Sequence, residues 1–332
     1  MSETMRAVLV RDGQIEVCRD YPRPEPSEGE VLVRVVRAGI CDTDLQIVRG
    51  YLGFQGVLGH EFVGVALEGT HQGRLVVGEI NCACGTCEYC KGGLRNHCPH
   101  RTVLGIVGHD GVFADYVAIP EVNLHPLPDG IHPELGVFVE PLAAAFQIVR
   151  QTAVGPGTRC VVLGDGKLGY LVAQVLKAHG AQVLVLGKHP EKLRLFERRG
   201  IQAEPVTQRR PRPEFDLGVE CTGSATGLAA ILPFMRPRAT IVLKTTVAQP
   251  STLDLAPVVI HELTVLGSRC GPFPPAIEAL RTGTVEVETF LEAVYTLEAA
   301  AQALEQAAVP GARKVLLAVD PEVPSLLRVR SA

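Results

Sequence analysis

No apolar run in this chain reaches the roughly 18 residues that a membrane-spanning helix needs. The opening hexapeptide, MSETMR, has no apolar core of the kind that marks a secretory leader. A cytoplasmic protein without a membrane partner is therefore expected. Surplus positive charge is also missing. The formal net charge is −4, which gives no electrostatic reason to expect nucleic acid or an anionic lipid surface. There is no internal repeat and no low-complexity stretch, which excludes solenoid and propeller arrays. Apolar residues make up 46% of the chain, so burial is not limiting and disorder is not expected.

What is present suits two domains, because 332 residues exceed one ordinary core. The first 130 or so residues read as short strands broken by glycine and proline, at 6–11, 30–38, 62–68 and 113–118, the pattern of a β barrel or sandwich. From about residue 143 the texture changes. Helical segments at 144–153, 168–179 and 190–199 alternate with strands at 160–163, 182–186 and 215–220. Such alternation builds a parallel sheet from βαβ units. Further strands are expected at 240–244 and 263–266, a helix at 275–281 and a last strand at 314–319.

Ten cysteines in a cytosolic chain point to metal ligands and free thiols, not disulfides. Cys84, Cys87, Cys90 and Cys98 lie on one loop. Four thiolates at this spacing close a tetrahedral shell around Zn2+ with no place for substrate, so zinc there is structural. Cys82 stands outside the pattern. A second and looser ligand set lies upstream: Cys41, His60, and Glu61 or Glu140 as third donor. Three protein ligands and an open position make a catalytic zinc site.

Downstream, the stretch VVLGDGKLG places Gly164, Gly166 and Gly169 between a strand and a helix. The first glycine makes the turn, the second admits a pyrophosphate and the third lets helix and strand pack. Lys167 and Leu168 belong to the same phosphate-facing helix start. The next strand ends at Gly187, where an NAD site usually carries an acid for the ribose hydroxyl. Gly187 followed by Lys188 and His189 predicts NADP(H) in preference to NAD(H), the two cations pairing with a 2′-phosphate.

These segments, in this order, resemble the zinc-containing medium-chain dehydrogenase/reductase (alcohol dehydrogenase) superfamily over essentially the whole chain. The Glu-Pro-Leu at 140–142 is similar to the branch of sorbitol, threonine and glucose dehydrogenases. The resemblance implies an α/β protein: an N-terminal GroES-like β-barrel catalytic domain (1–143, completed by 271–332), a Rossmann doubly wound parallel-sheet coenzyme domain (144–270), and an active-site cleft between them. It implies hydride transfer between an alcohol or polyol and a nicotinamide cofactor, with one catalytic and one structural zinc, a small-molecule alcohol or carbonyl substrate and a homo-oligomer of two or four chains. Cys41 and His60 match the two zinc ligands, and Glu61 and Glu140 match two glutamates that compete for the metal. Thr43 matches the hydroxyl that begins the proton relay, and Asp44 the carboxylate that orients the zinc-bound histidine. Thr222, Lys244, Thr245, Ser268 and Arg269 fall where relatives contact the coenzyme.

One departure stands out. Relatives carry a histidine shortly after the Cys-x-Thr-Asp run as terminal proton shuttle, and this chain has Gln46. A catalytically weak homologue with a regulatory role is the main alternative that this raises. A zinc-ribbon interaction module would need a basic face that Lys91, Arg95 and Arg101 do not supply.

Overall fold

The structure, a computed structural model, describes residues 3–246 and 252–331. The chain forms two compact units, Met1–Glu140 with Phe290–Ala332, and Pro141–Thr289.

In the first unit, strand Glu30–Gly39 is the hub of an eight-stranded sheet. One edge pairs antiparallel with Glu61–Ala66. The other edge is shared, by Tyr116–Pro120 along residues 30–34 and by Lys314–Ala318 along residues 37–39. Its sequence, EVLVRVVRAG, is almost wholly buried. Its apolar residues fall on both faces, and of its two arginines Arg37 is itself fully buried against Glu134. Beyond Lys314–Ala318 the sheet continues in parallel through Leu291–Thr296 to the short Val329–Arg330. The C-terminal segment therefore contributes three strands to a sheet begun at the N-terminus. Thr4–Arg11, Gln14–Pro22 and Gly56–Val57 form a separate three-stranded sheet around Met5, Ala7, Leu9, Val57 and Ala114.

The second unit holds six parallel strands, in the spatial order Gln202–Pro205, Gln182–Gly187, Arg159–Leu163, Phe215–Glu220, Met235–Leu243, Thr264–Gly267. The chain starts in the middle, at Arg159–Leu163, winds outward to one side and then to the other. This is the doubly wound topology, whose ligand edge lies at the carboxyl ends of the central strands. Val161, Leu163, Leu186, Phe215, Ile231 and Ile241 are among the core residues.

Two expected boundaries shift. Return to the first unit comes at Phe290, later than 271. Helix Phe273–Arg281 and the segment after it stay with the second unit, where Tyr170 Oη donates to Glu286 Oε2 (2.9 Å) and Gln174 Nε2 donates to the Glu286 carbonyl (2.9 Å). The helix expected from 144 begins at Val139, so Glu140 stands in its first turn. No described helix is long and apolar enough to cross a membrane.

Candidate functional site

Strands Asn81–Cys82 and Thr102–Leu104 pair and hold a loop between them. Within it, Cys87 caps the one-turn helix Glu88–Lys91 and Cys98 follows the turn Arg95–His97. The loop gathers four sulfurs: Cys84–Cys90 4.0 Å, Cys87–Cys90 3.5 Å, Cys87–Cys98 3.7 Å and Cys84–Cys98 3.5 Å. A tetrahedron with Zn–S bonds of about 2.3 Å has S–S edges of about 3.8 Å. All four cysteines are free thiols, so the spacing is that of a metal shell and not of disulfides. Backbone N–H groups of Thr86 and Cys87 point at Cys84 and draw its thiol down to about 5, which favours the thiolate a metal requires. The four residues fit a closed zinc shell. Cys82 lies apart, with its sulfur near the Ile80 carbonyl and its thiol pushed up to about 11 by burial.

A second ligand group forms where three strands of the first unit meet. Cys41 caps helix Asp42–Val48, and its amide donates to Asp44 Oδ2 (2.8 Å). Asp44 is fully buried, and its other oxygen stands 3.2 Å from His60 Nδ1, out of line for a hydrogen bond. His60 and Glu61 are also buried. One ligand atom from each of Cys41, His60 and Glu61 lies within 4.8 Å of the others. Among the described residues Glu140 does not join this group. Burial opposes a proton on His60, yet Asp44 and then Cys41 hold its pKa well above the ordinary value. A divalent cation satisfies the same demand for positive charge. With Asp44 on the Nδ1 side, the other ring nitrogen is left for a metal. The donor set, one thiolate, one imidazole and one carboxylate, fits zinc. Thr43 Oγ1 lies 3.8 Å from Cys41 Sγ.

Two residues here were invisible as site residues in the sequence. Lys314 opens the last long strand, is 1% exposed, and pairs with Glu61 Oε2. Its signal is a lysine at the head of a strand, KVLLA, that is buried throughout. Such a charge needs a partner.

The second is Asp165, inside the glycine motif of the second unit. The motif joins strand Arg159–Leu163 to helix Lys167–Ala178. A Cβ on Gly169 would fall 2.1 Å from the Gly164 carbonyl oxygen, so helix and strand approach as the motif requires. Asp165 turns across to the end of the neighbouring strand. Its Oδ2 accepts from the amides of Lys188 (2.6 Å) and His189 (2.7 Å). Its Oδ1 lies 3.0 Å from His189 Nδ1 and 3.3 Å from Lys192 Nζ. A Cβ on Gly187 would come within 2.5 Å of the Asp165 carboxylate. Gly187 is thus small because Asp165 fills the space beside it, and the His189 ring faces that carboxylate.

The other candidate coenzyme residues cluster at the carboxyl ends of the same parallel strands. Glu220 Oε1 accepts from the Thr222 amide (2.8 Å), Thr222 Oγ1 (2.6 Å) and Thr245 Oγ1 (2.9 Å). Lys244 Nζ donates to the carbonyls of Ala144 (2.9 Å) and Arg269 (3.0 Å) and to Ser268 Oγ (3.3 Å). Lys244 therefore braces the loop carrying Ser268 and Arg269.

Residues 27–129 match the family described as alcohol dehydrogenase GroES-like domain, and residues 168–284 match zinc-binding dehydrogenase. The chain is 30% identical over 304 residues to a sorbitol dehydrogenase of Halalkalibacterium halodurans, covering 84% of this chain and 88% of that one. A Sinorhizobium meliloti 1021 protein solved with NADP superposes with a TM-score of 0.86 at 28% identity, covering 96% of this chain and all of that one. The alcohol dehydrogenase rspB from Escherichia coli CFT073, solved with NADH, does so with a TM-score of 0.86 at 27% identity, over 95% and 99%.

The Asp165 cluster has a pH signature. Burial alone would raise the Asp165 pKa, but the His189 amide and ring, Lys192 and the Lys188 amide together hold it below the ordinary value. A depressed carboxylate stabilises the fold above its unfolded pKa and loses that contribution as pH falls through the folded one. Asp165→Asn should therefore cost about 2 kcal/mol at neutral pH. In denaturant titrations that gap should persist down to about pH 4 and close below it. A gap that widens on acidification would refute the assignment.

Proposed function

The chain belongs to the zinc-containing alcohol dehydrogenase family, and from that premise we propose that Cys41 and His60 anchor a catalytic zinc for hydride exchange between an alcohol or polyol and a nicotinamide coenzyme. The observation that carries this reading is the convergence of Cys41, His60 and Glu61 ligand atoms within 4.8 Å, with Asp44 behind His60. Zinc bound there supplies a Lewis acid that lowers the pKa of the alcohol, and the coenzyme supplies the hydride acceptor.

The side chains do the rest. The Cys41 thiolate and a His60 ring nitrogen hold the metal, and Glu61 or Glu140 is the third protein donor. Asp44 stands behind the His60 ring on its Nδ1 side. Thr43 Oγ1, beside Cys41, accepts the hydrogen bond of the substrate hydroxyl and starts its proton toward solvent. Gln46 cannot titrate, so it would not serve as the terminal proton acceptor that a histidine there would be. The four-cysteine loop holds a second, structural zinc. At the coenzyme edge, the helix start at Gly166 to Gly169, with Lys167 and Leu168, receives the pyrophosphate. Thr222, Thr245, Ser268 and Arg269 border it.

Polyol specificity is supported by the similarity to a sorbitol dehydrogenase. Preference for NADP(H) is supported by the exposed Lys188 after the second strand, although the Asp165 carboxylate fills the space beside Gly187. His189 is engaged with Asp165, so Lys188 carries that preference. A homo-oligomer is supported by the sheet edge at Thr264–Gly267, where Val265 is exposed, and by Leu255, Val259 and Ile260 nearby in the chain, all exposed. Apolar groups in such number are usually covered by a partner.

Four measurements test this. Zinc-loaded protein should hold two ions per chain and reduce the coenzyme in the presence of polyols. Cys41→Ser should lose one zinc and all turnover while staying folded and binding coenzyme, whereas Cys84→Ser should lose the other zinc and unfold more readily. The reverse pattern would exchange the two roles. Lys188→Ala should weaken NADP(H) by roughly ten- to a hundredfold, the value of a charge-assisted contact of about 1.5–3 kcal/mol, and leave NAD(H) nearly unchanged; equal effects on both would remove Lys188 from the coenzyme site. Light scattering should give two or four times the 35.6 kDa chain mass, and a monomer would refute the oligomer.

A further inference from the structure

Lys314 and Glu61 are each 1% exposed and form an ion pair with no access to solvent. Their meeting is built by the register of three strands. Gly39 pairs with Glu61 on one side and with Leu316 on the other. Lys314 lies two residues before Leu316, on the same face of its strand. To reach Glu61, its side chain passes over Gly39. A Cβ on Gly39 would stand 2.6 Å from Glu61 Oε2, 2.8 Å from Lys314 Cε and 2.5 Å from Val137 Cγ1. The missing side chain is the channel through which lysine and glutamate meet. The ammonium has further anchors. It donates to the Ile40 carbonyl (3.3 Å), directly before Cys41, and lies 5.7 Å from the centre of the Phe138 ring.

Glu61 is therefore a carboxylate with two claimants. A metal held by its neighbours Cys41 and His60 would lie within its reach, and Lys314 holds its Oε2. A reacting alcohol needs an open coordination position. A free, buried carboxylate at this distance would fill that position. Charge favours the arrangement as well. A divalent metal with Lys314 balances the Cys41 thiolate, Asp44 and Glu61, whereas loss of the lysine leaves the pocket with an excess negative charge that only tighter metal contact can relieve.

We propose that Lys314 is a positioning residue that holds the Glu61 carboxylate off the Cys41–His60 metal and so keeps a coordination place free for substrate. This rests on the assignment of Cys41 and His60 as a metal site. It makes Glu61 a ligand held in reserve behind Cys41 and His60, the two other donors that the geometry brings together.

The test uses full-length protein with zinc in the four-cysteine loop and cobalt in the Cys41 site, whose visible absorption reports coordination number independently of turnover. Lys314→Met should change the cobalt spectrum toward a higher coordination number and slow loss of the metal to a chelator by roughly tenfold. Lys314→Met combined with Glu61→Gln should restore the wild-type spectrum, and Lys314→Arg should never leave it. A purely structural lysine would lower thermal stability in both methionine variants and move neither spectrum, which would overturn the proposal. If Lys314→Met does not fold, Glu61→Gln alone decides: an unchanged cobalt spectrum supports a carboxylate already held off the metal, and a changed one overturns it. Failure of wild-type protein to bind cobalt at Cys41 would instead refute the metal assignment itself.

Discussion

Everything in the first unit depends on the register in which Glu30–Gly39, Glu61–Ala66 and Lys314–Ala318 lie side by side. Gly39 is the common point. From it the chain runs directly into Ile40 and Cys41, across one ladder to Glu61 beside His60, and across the other to the strand that begins at Lys314. A slip of one residue in either ladder turns every side chain of that strand to the opposite face. It would carry Glu61 or Lys314 away from the metal corner. The buried Glu61–Lys314 pair opposes such a slip, because parting the two would leave each charge buried without its partner.

The two candidate ligand groups show how differently such constraints are written. Cys84, Cys87, Cys90 and Cys98 belong to one loop, and their mutual approach needs only a short helix and a turn. Their chemistry is complete and closed. The Cys41 corner is assembled from segments far apart in sequence. Its two buried atoms without a hydrogen-bond partner, Asp44 Oδ1 and His60 Nδ1, stand 3.2 Å apart. An open site needs support from outside its ligand set, and the buried Lys314 supplies it.

What could be read in the sequence follows the same division. The four-cysteine spacing, the glycine motif and the strand–helix alternation are local, and the structure places Arg159–Leu163, Gln182–Gly187 and Phe215–Glu220 as strands within a residue of expectation. Asp165 and Lys314 escaped because their meaning lies in partners that only the folded sheet supplies. Asp165 sits at a variable position of a glycine motif, and its task is set by the strand end at Gly187. That task also changes the meaning of Gly187 and His189: the glycine makes room for a carboxylate, and the histidine answers it. The late return at Phe290 escaped for a similar reason, since Glu286 is tied to Tyr170 and Gln174 by hydrogen bonds with no sequence signature.

The central claim is that a zinc ion with an open coordination place sits at Cys41 and His60. Anomalous diffraction at the zinc edge, from crystals of the zinc-loaded protein, tests it most directly. Two peaks per chain are predicted. One should be enclosed by the sulfurs of Cys84, Cys87, Cys90 and Cys98 at about 2.3 Å. The other should lie within bonding distance of Cys41 Sγ and a ring nitrogen of His60, with Glu61 turned to Lys314. A single peak in the cysteine loop, with Cys41 and His60 bare in fully loaded protein, would contradict the account.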